Sequence, residues 1–247
     1  MAQLGNRRIL ITGVSRRVGI AYTLAQRLEA DGASVFASGW APHDAEQPWG
    51  ADHADSPVLH YQSIDLADAD APARLIAEAC DRIGGLDVLL AVHARSVNQS
   101  LGELTADELD TTFAVNARAT LLLIKEFAAR FAGEHGRVIT FSSGQHRGPM
   151  PAELPYVASK AAIQQLTPSL AVELAPRGIT VNCVNPGPVD TGYADEVGRA
   201  AVAAAHPQRR WGTPDDIAET IVWLVSPASA WITGQTIDVD GGWSIGT

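Results

Sequence analysis

The chain has 247 residues, a formal net charge of −10 at neutral pH and an apolar fraction of 46 %. Such acidity argues against a broad nucleic-acid-binding face, while leaving room for one local basic site. A chain of this length and ordinary composition can bury a large core, about three quarters of its unfolded surface.

Short β-branched runs alternate with longer helical patterns along the chain. Arg8-Ile9-Leu10-Ile11-Thr12 reads as a buried strand, and Ile20, Leu24 and Leu28 form one apolar stripe on the helix that follows. Gly32 stops that helix, and residues 34–38 read as a second strand. The spacing then predicts a strand over 58–64, a helix over 71–83, a strand over 86–92 and a long helix over 107–130. Further on it predicts a strand over 137–141, a helix over 155–174, a strand over 179–184, a helix over 214–225 and a last strand over 235–239. This alternation, with near-continuous apolar strands, implies an α/β fold: a doubly wound parallel sheet of about seven strands with helices on both faces. No repeat or linker interrupts it, so residues 1–247 read as a single domain. Residues 40–57 look like a surface excursion, and residues 186–207 like a substrate lid.

Cys80 and Cys183 lack metal-ligand spacing and read as buried thiols, so no metal is expected. Residues 1–8 carry no signal pattern, and no apolar run nears the eighteen or so residues of a membrane span. The expectation is a cytoplasmic protein.

In open α/β sheets ligands bind beyond the carboxyl ends of the strands, which puts Gly13, Gly39, Ser143 and Gly187 along one rim. Thr12-Gly13-Val14-Ser15-Arg16-Arg17-Val18-Gly19 joins the first strand to the first helix. Its glycines allow close backbone approach, and the helix N-terminus offers N–H groups to a pyrophosphate. An ordinary strand–helix turn would use glycines too. The second strand ends Ser38-Gly39-Trp40 without an acid for a ribose hydroxyl, while Arg16 and Arg17 supply guanidinium groups for a 2′-phosphate. That favours NADP(H) over NAD(H). Asp65 either accepts from the adenine amino group or caps the following segment.

Tyr156 and Lys160 are spaced to share a helix face, and Ser143 lies upstream at the end of a predicted strand. A nearby ammonium lowers a phenol's pKa, which makes tyrosine a usable proton donor to a carbonyl.

Together these residues resemble the short-chain dehydrogenase/reductase family, whose fold is Rossmann-like. The resemblance spans nearly the whole chain through Gly13 to Gly19, Asp65, Asn116, Ser143, Tyr156, Lys160, Asn185-Pro186-Gly187, Thr191 and Asp240-Gly241-Gly242. In flavour it is similar to the 3-oxoacyl-carrier-protein-reductase-like members, where an arginine at the place of Arg16 goes with NADPH. The resemblance implies an oxidoreductase moving hydride between NADP(H) and a carbonyl/alcohol pair. It implies that Tyr156 donates the proton, Lys160 tunes it and holds the nicotinamide ribose, Ser143 binds the substrate oxygen and Asn116 supports a proton relay. It places the coenzyme against Gly13, Ser15, Arg16, Arg17, Val18 and Gly19, then Asp65 and Leu66, then Pro186, Gly187, Val189 and Thr191. It also implies a homotetramer built on the helices at 107–130 and 155–174.

The chain departs from the family pattern twice. Arg17 replaces the middle glycine, and Asn-Asn-Ala-Gly after the fourth strand reads Ala91-Val92-His93-Ala94. His93 either replaces the lost asparagine hydrogen bonds or is a satisfied core histidine. Two other readings are a catalytically silent NADP(H)-sensing regulator and an enoyl reductase of related fold. His146, Met150, Leu154 and Tyr193 are candidate substrate-lining residues. Arg130, Arg147, Arg209 and Arg210 are candidates for docking an acidic carrier protein.

Overall fold

The computed structural model describes residues 4–52 and 60–246. Seven strands, β1 (Arg8–Thr12), β2 (Ser34–Gly39), β3 (His60–Ser63), β4 (Val88–Ala91), β5 (Gly136–Phe141), β6 (Ile179–Asn185) and β7 (Thr236–Asp238), form one sheet. Their order is β3-β2-β1-β4-β5-β6-β7, and every pairing is parallel. The strand order therefore reverses between β1 and β4, which opens a crevice at their carboxyl ends.

Successive strand residues point to opposite faces, and both faces are apolar. Ile9 and Ile11 of β1 pack with Leu24 of α1 (Ile20–Ala30) and Ile221 of α8 (Pro214–Val225). Leu10, between them, packs on the other side with Leu75 of α3 (Ala71–Ile83) and Phe127 of α5 (Ala119–Arg130). The result is the Rossmann-like architecture expected from the alternation. α6 (Leu154–Leu174) lies over β6 on this second face and carries Tyr156 and Lys160 in its first turns.

Three local features differ from the sequence expectations. The helix expected over 107–130 is α4 (Ala106–Phe113), a π-helical turn (Ala114–Arg118) and α5. Its apolar period continues through the π turn, so periodicity alone does not reveal the break. The excursion over 40–57 contains α2 (Ala41–Ala45). The expected lid contains α7 (Glu196–Ala205), in agreement with its alanine-rich helical run and capped by Asp195 accepting from Gly198 N. A short α9 (Trp243–Gly246) closes the described chain. Of the third strand, residues 58 and 59 lie outside the described residues.

Candidate active site

A cavity of about 1100 Å³ runs along the carboxyl ends of the strands. Gly13, at φ +86°, turns the chain into it, and a Cβ there would stand 2.8 Å from the His93 backbone. A Cβ on Gly39 would collide with Val14 O at 2.3 Å. These two glycines let the β1, β2 and β4 ends converge.

Tyr156 and Lys160 share one face of α6, with the Lys160 ammonium 5.7 Å from the Tyr156 ring centroid. Lys160 is buried, and its Nζ donates to the Phe141 carbonyl at 2.9 Å. Ser143 leaves β5 in extended backbone and lines the cavity near the Tyr156 phenol. Burial pushes Tyr156 up to about 12, a rise that the nearby Ser143 hydroxyl opposes and Glu153 adds to. Burial pulls Lys160 down to about 8. The expected lowering of the phenol by Lys160 is therefore not what this geometry gives. The ammonium turns toward Phe141 O, and desolvation dominates at the ring. Tyr156 is held as a neutral phenol, the form that can give up a proton.

Asn116 sits in the π turn, 2 % exposed. Its Nδ2 donates to Arg95 O and Ser159 Oγ, both at 2.9 Å, while Oδ1 accepts from Arg95 N at 2.7 Å. The side chain is thus a brace between the segment after β4 and α6, one residue from Lys160. Its amide is engaged with Arg95 and Ser159 rather than with the ammonium. His93 is a satisfied core histidine. The Val115 carbonyl can only accept, so Nε2 donates to it at 3.1 Å, leaving Nδ1 to accept from Thr12 Oγ1 at 2.6 Å. Burial, helped by the Lys160 charge, lowers His93 to about 3. The ring is neutral and joins β1 to the π turn.

The other end of the cavity has the features of an anion site. α1 begins at Gly19 with no side-chain cap and no acid in its first turn. Ser15, Arg16 and Gly19 line the cavity there, as do Asp65 and Leu66 on the β3 side. Pro186, Gly187, Val189 and Thr191 line it near Tyr156.

Several comparisons place this geometry. A family model described as enoyl-(acyl carrier protein) reductase matches residues 13–244. The human dehydrogenase/reductase SDR family member 4 is 32 % identical over 97 % of this chain and 88 % of its own length. The chain belongs to the short-chain dehydrogenase/reductase family. An uncharacterized oxidoreductase of Bacillus subtilis, YjdA, is 38 % identical over 94 % of this chain and 95 % of its own. The crystal structure of a Burkholderia cenocepacia short chain dehydrogenase in complex with NADP superposes with a TM-score of 0.85. It is 32 % identical, covering 98 % of this chain and 99 % of that one. Nicotinamide coenzyme use and oxidoreductase chemistry follow from membership.

Within this short-chain dehydrogenase/reductase, some expected residues stand elsewhere. Arg17 and Val18 are exposed and do not line the cavity; Arg17 N donates to Asp52 Oδ2 at 2.5 Å. Only Arg16 of the two arginines faces the coenzyme end. Asp65 closes a turn by accepting from Ala67 N at 2.8 Å, and the N-cap position of α3 belongs to Asp70. Met150 and Tyr193 line the cavity, whereas His146 and Leu154 do not. Arg147 and Arg210 pair with Asp238 and Asp216, each at 2.6 Å. Arg130 pairs with Glu126, and Arg209 donates to Ala204 O. A free basic docking patch is not what these four arginines form.

Sequence reading missed the acid near Arg16. Asp44 of α2, 7 % exposed, approaches Arg16 at 3.4 Å and accepts from Trp49 Nε1 at 3.1 Å. The Arg16 guanidinium also lies 5.4 Å from the Trp49 ring centroid. No signal at the end of β2 points to Asp44, because α2 folds it back. Arg95 was missed as well: it lines the cavity and pairs with Glu108 at 2.7 Å. Among the described residues no cluster could hold a metal ion, and no helix is long and apolar enough to cross a membrane.

Proposed function

We propose that this chain is an NADPH-dependent carbonyl reductase, acting reversibly on a 3-oxoacyl thioester or another ketone. The observation that carries the reading is the convergence of Ser143, Tyr156 and Lys160 in the cavity that also holds Arg16 and the uncapped α1 N-terminus. The residues present fit a dinucleotide: bare helix amides and Gly13 for the pyrophosphate, Asp65 and Leu66 for the adenine, Arg16 for a 2′-phosphate, Pro186 to Thr191 for the nicotinamide.

Bound NADPH would supply the hydride. Tyr156 protonates the oxygen that becomes an alkoxide, and its neutral state leaves that proton available. Ser143 donates to the same oxygen, with most effect as negative charge develops there. Lys160 would hold the nicotinamide ribose beside the phenol, and Asn116 fixes α6 against the segment after β4. Residues 186–207, including α7, act as the substrate lid. A cytoplasmic homotetramer completes the proposal.

The enoyl-reductase reading draws on the description of the matching family model. Ser143 beside the Tyr156 phenol suits an oxygen that takes up charge, so carbonyl reduction is preferred. The silent-sensor reading rested on the altered residues 91–94, and His93 supports the loop with bonds of its own.

The deciding experiment follows NADPH consumption by purified protein with a panel of ketones and 3-oxoacyl and enoyl thioesters. Tyr156→Phe should lose at least about 10³-fold in kcat while binding NADPH within about twofold of wild type. Turnover of enoyl thioesters alone would reject the carbonyl assignment, and an active Tyr156→Phe would reject the role of the phenol.

A further inference from the structure

We infer that Asp238, on the edge strand β7, is a positioning residue that sets the Ser143 segment and the Pro186-Gly187 turn relative to each other. Both segments leave the sheet, from β5 and β6 respectively, and both must be placed accurately if Ser143 and the nicotinamide end are to meet one substrate oxygen. Asp238 pairs in register with Asn185, the last residue of β6. Its Oδ1 accepts from Asn185 Nδ2 at 2.8 Å, and Asn185 Oδ1 accepts from Gly187 N at 3.2 Å. That branch ends on the turn that lines the coenzyme cavity.

The second branch runs the other way. His146 Nδ1 donates to the Ser143 carbonyl at 3.1 Å, and its Nε2 stands 3.2 Å from Asp238 Oδ1 without a hydrogen bond, an ion pair when the ring carries both protons. Oδ2 accepts from Arg147 Nε at 3.1 Å and Nη2 at 2.6 Å. One carboxylate, its side chain 19 % exposed, therefore gathers groups from the segments after β5 and β6. Asn185 Nδ2 and the two Arg147 nitrogens take three of the carboxylate's about four lone-pair sites. His146, which the sequence suggested as a substrate contact, instead points away from the cavity and ties Ser143 to the sheet edge.

The inference rests on the carbonyl-reductase reading for its kinetic arms but not for its structural one. His146→Ala should lower kcat about tenfold, with the NADPH dissociation constant within about twofold of wild type. Asp238→Ala should lower kcat by a similar factor and also weaken NADPH about tenfold, while Asp238→Asn retains part of both. The double variant His146→Ala/Asp238→Ala should be no slower than Asp238→Ala alone, because both changes cut one path. Arg147→Ala should leave kcat and coenzyme affinity within about twofold, since its exposed end joins the carboxylate without reaching the cavity.

Amide hydrogen exchange on the coenzyme-free protein gives the arm that needs no turnover. Faster exchange in 143–148 and at the Gly187 amide on Asp238→Ala, with the rest of the sheet protected as in wild type, supports the inference whatever the substrate proves to be. Unchanged exchange in either segment overturns it, as does a double variant whose kcat loss is the product of the single losses. Wild-type protein inert toward every ketone would instead defeat the carbonyl reading and leave the exchange result to decide this one.

Discussion

Lys160 shows at the scale of one residue how the site works against the fold. Its ordinary value is 10.5 and its value in the folded chain about 8, so the folded state holds the proton less readily than the unfolded one. The charged lysine is thus a cost at pH below about 8, and that cost fades as pH rises from there toward 10.5. A shift of this size corresponds to about 3 kcal/mol, and losing the bond to Phe141 O gives back about 1 kcal/mol. Lys160→Met should therefore raise the thermal midpoint of the coenzyme-free protein by about 4 °C at pH 7 while removing turnover. The gap to wild type should narrow in scans run above pH 8, and a variant melting below wild type at pH 7 contradicts the argument. Asp44 is the second residue with a measurable consequence. Its carboxylate stands beside the guanidinium that a 2′-phosphate would seek. Asp44→Asn should tighten NADPH by about threefold to tenfold and leave NADH unimproved, as read by quenching of tryptophan fluorescence. Weaker NADPH binding would mean that Asp44 steadies Arg16 rather than competing for it.

At the scale of elements, strands and long helices were legible because buried strands and striped helices leave different periods in the sequence. Ser143, Tyr156 and Lys160 were legible for the same reason, since each is fixed by a spacing within one or two elements. What escaped depends on chain folding back on itself. α2 brings Asp44 to Arg16, and the π turn aims Asn116 at Arg95 and Ser159, and neither device alters the apolar period. His93 was visible as a departure, but its partners Thr12 and Val115 lie on other elements. His93→Ala removes both bonds and leaves a cavity between β1 and the π turn, which should cost about 2–4 kcal/mol. Because the folded value lies near 3 against an ordinary 6.5, wild-type stability contributed by the neutral ring is present above pH 6.5 and lost as pH falls toward 3. Denaturant unfolding at pH 7 and pH 5 should show wild type losing about 2 kcal/mol that the variant does not lose. Parallel acid sensitivity in the two proteins would place the titration elsewhere.

The whole molecule presents a surface that one chain does not explain. α6 carries apolar residues around its circumference, and a helix of that kind is normally covered on all sides. One side packs on the sheet, yet Val172 is 77 % exposed and Leu166 36 % exposed, with Phe113 of α4 37 % exposed. Scattered apolar side chains are ordinary at a surface, but these lie on the helices that the family resemblance assigns to an interface between copies. Covering them with the same helices of another copy gives an isologous contact, into which any substitution enters twice. Val172→Arg would place a guanidinium on each side of that contact, where desolvation leaves it without a counter-ion. Light scattering after size exclusion should give four chain masses for wild type and two or one for Val172→Arg. Because Val172 lies outside the cavity lining, any loss of turnover in the dissociated variant should come with loosened exchange protection in α6 and the π turn, which the Asn116–Ser159 bond joins. A variant that remains tetrameric places the subunit contact on another face of the molecule.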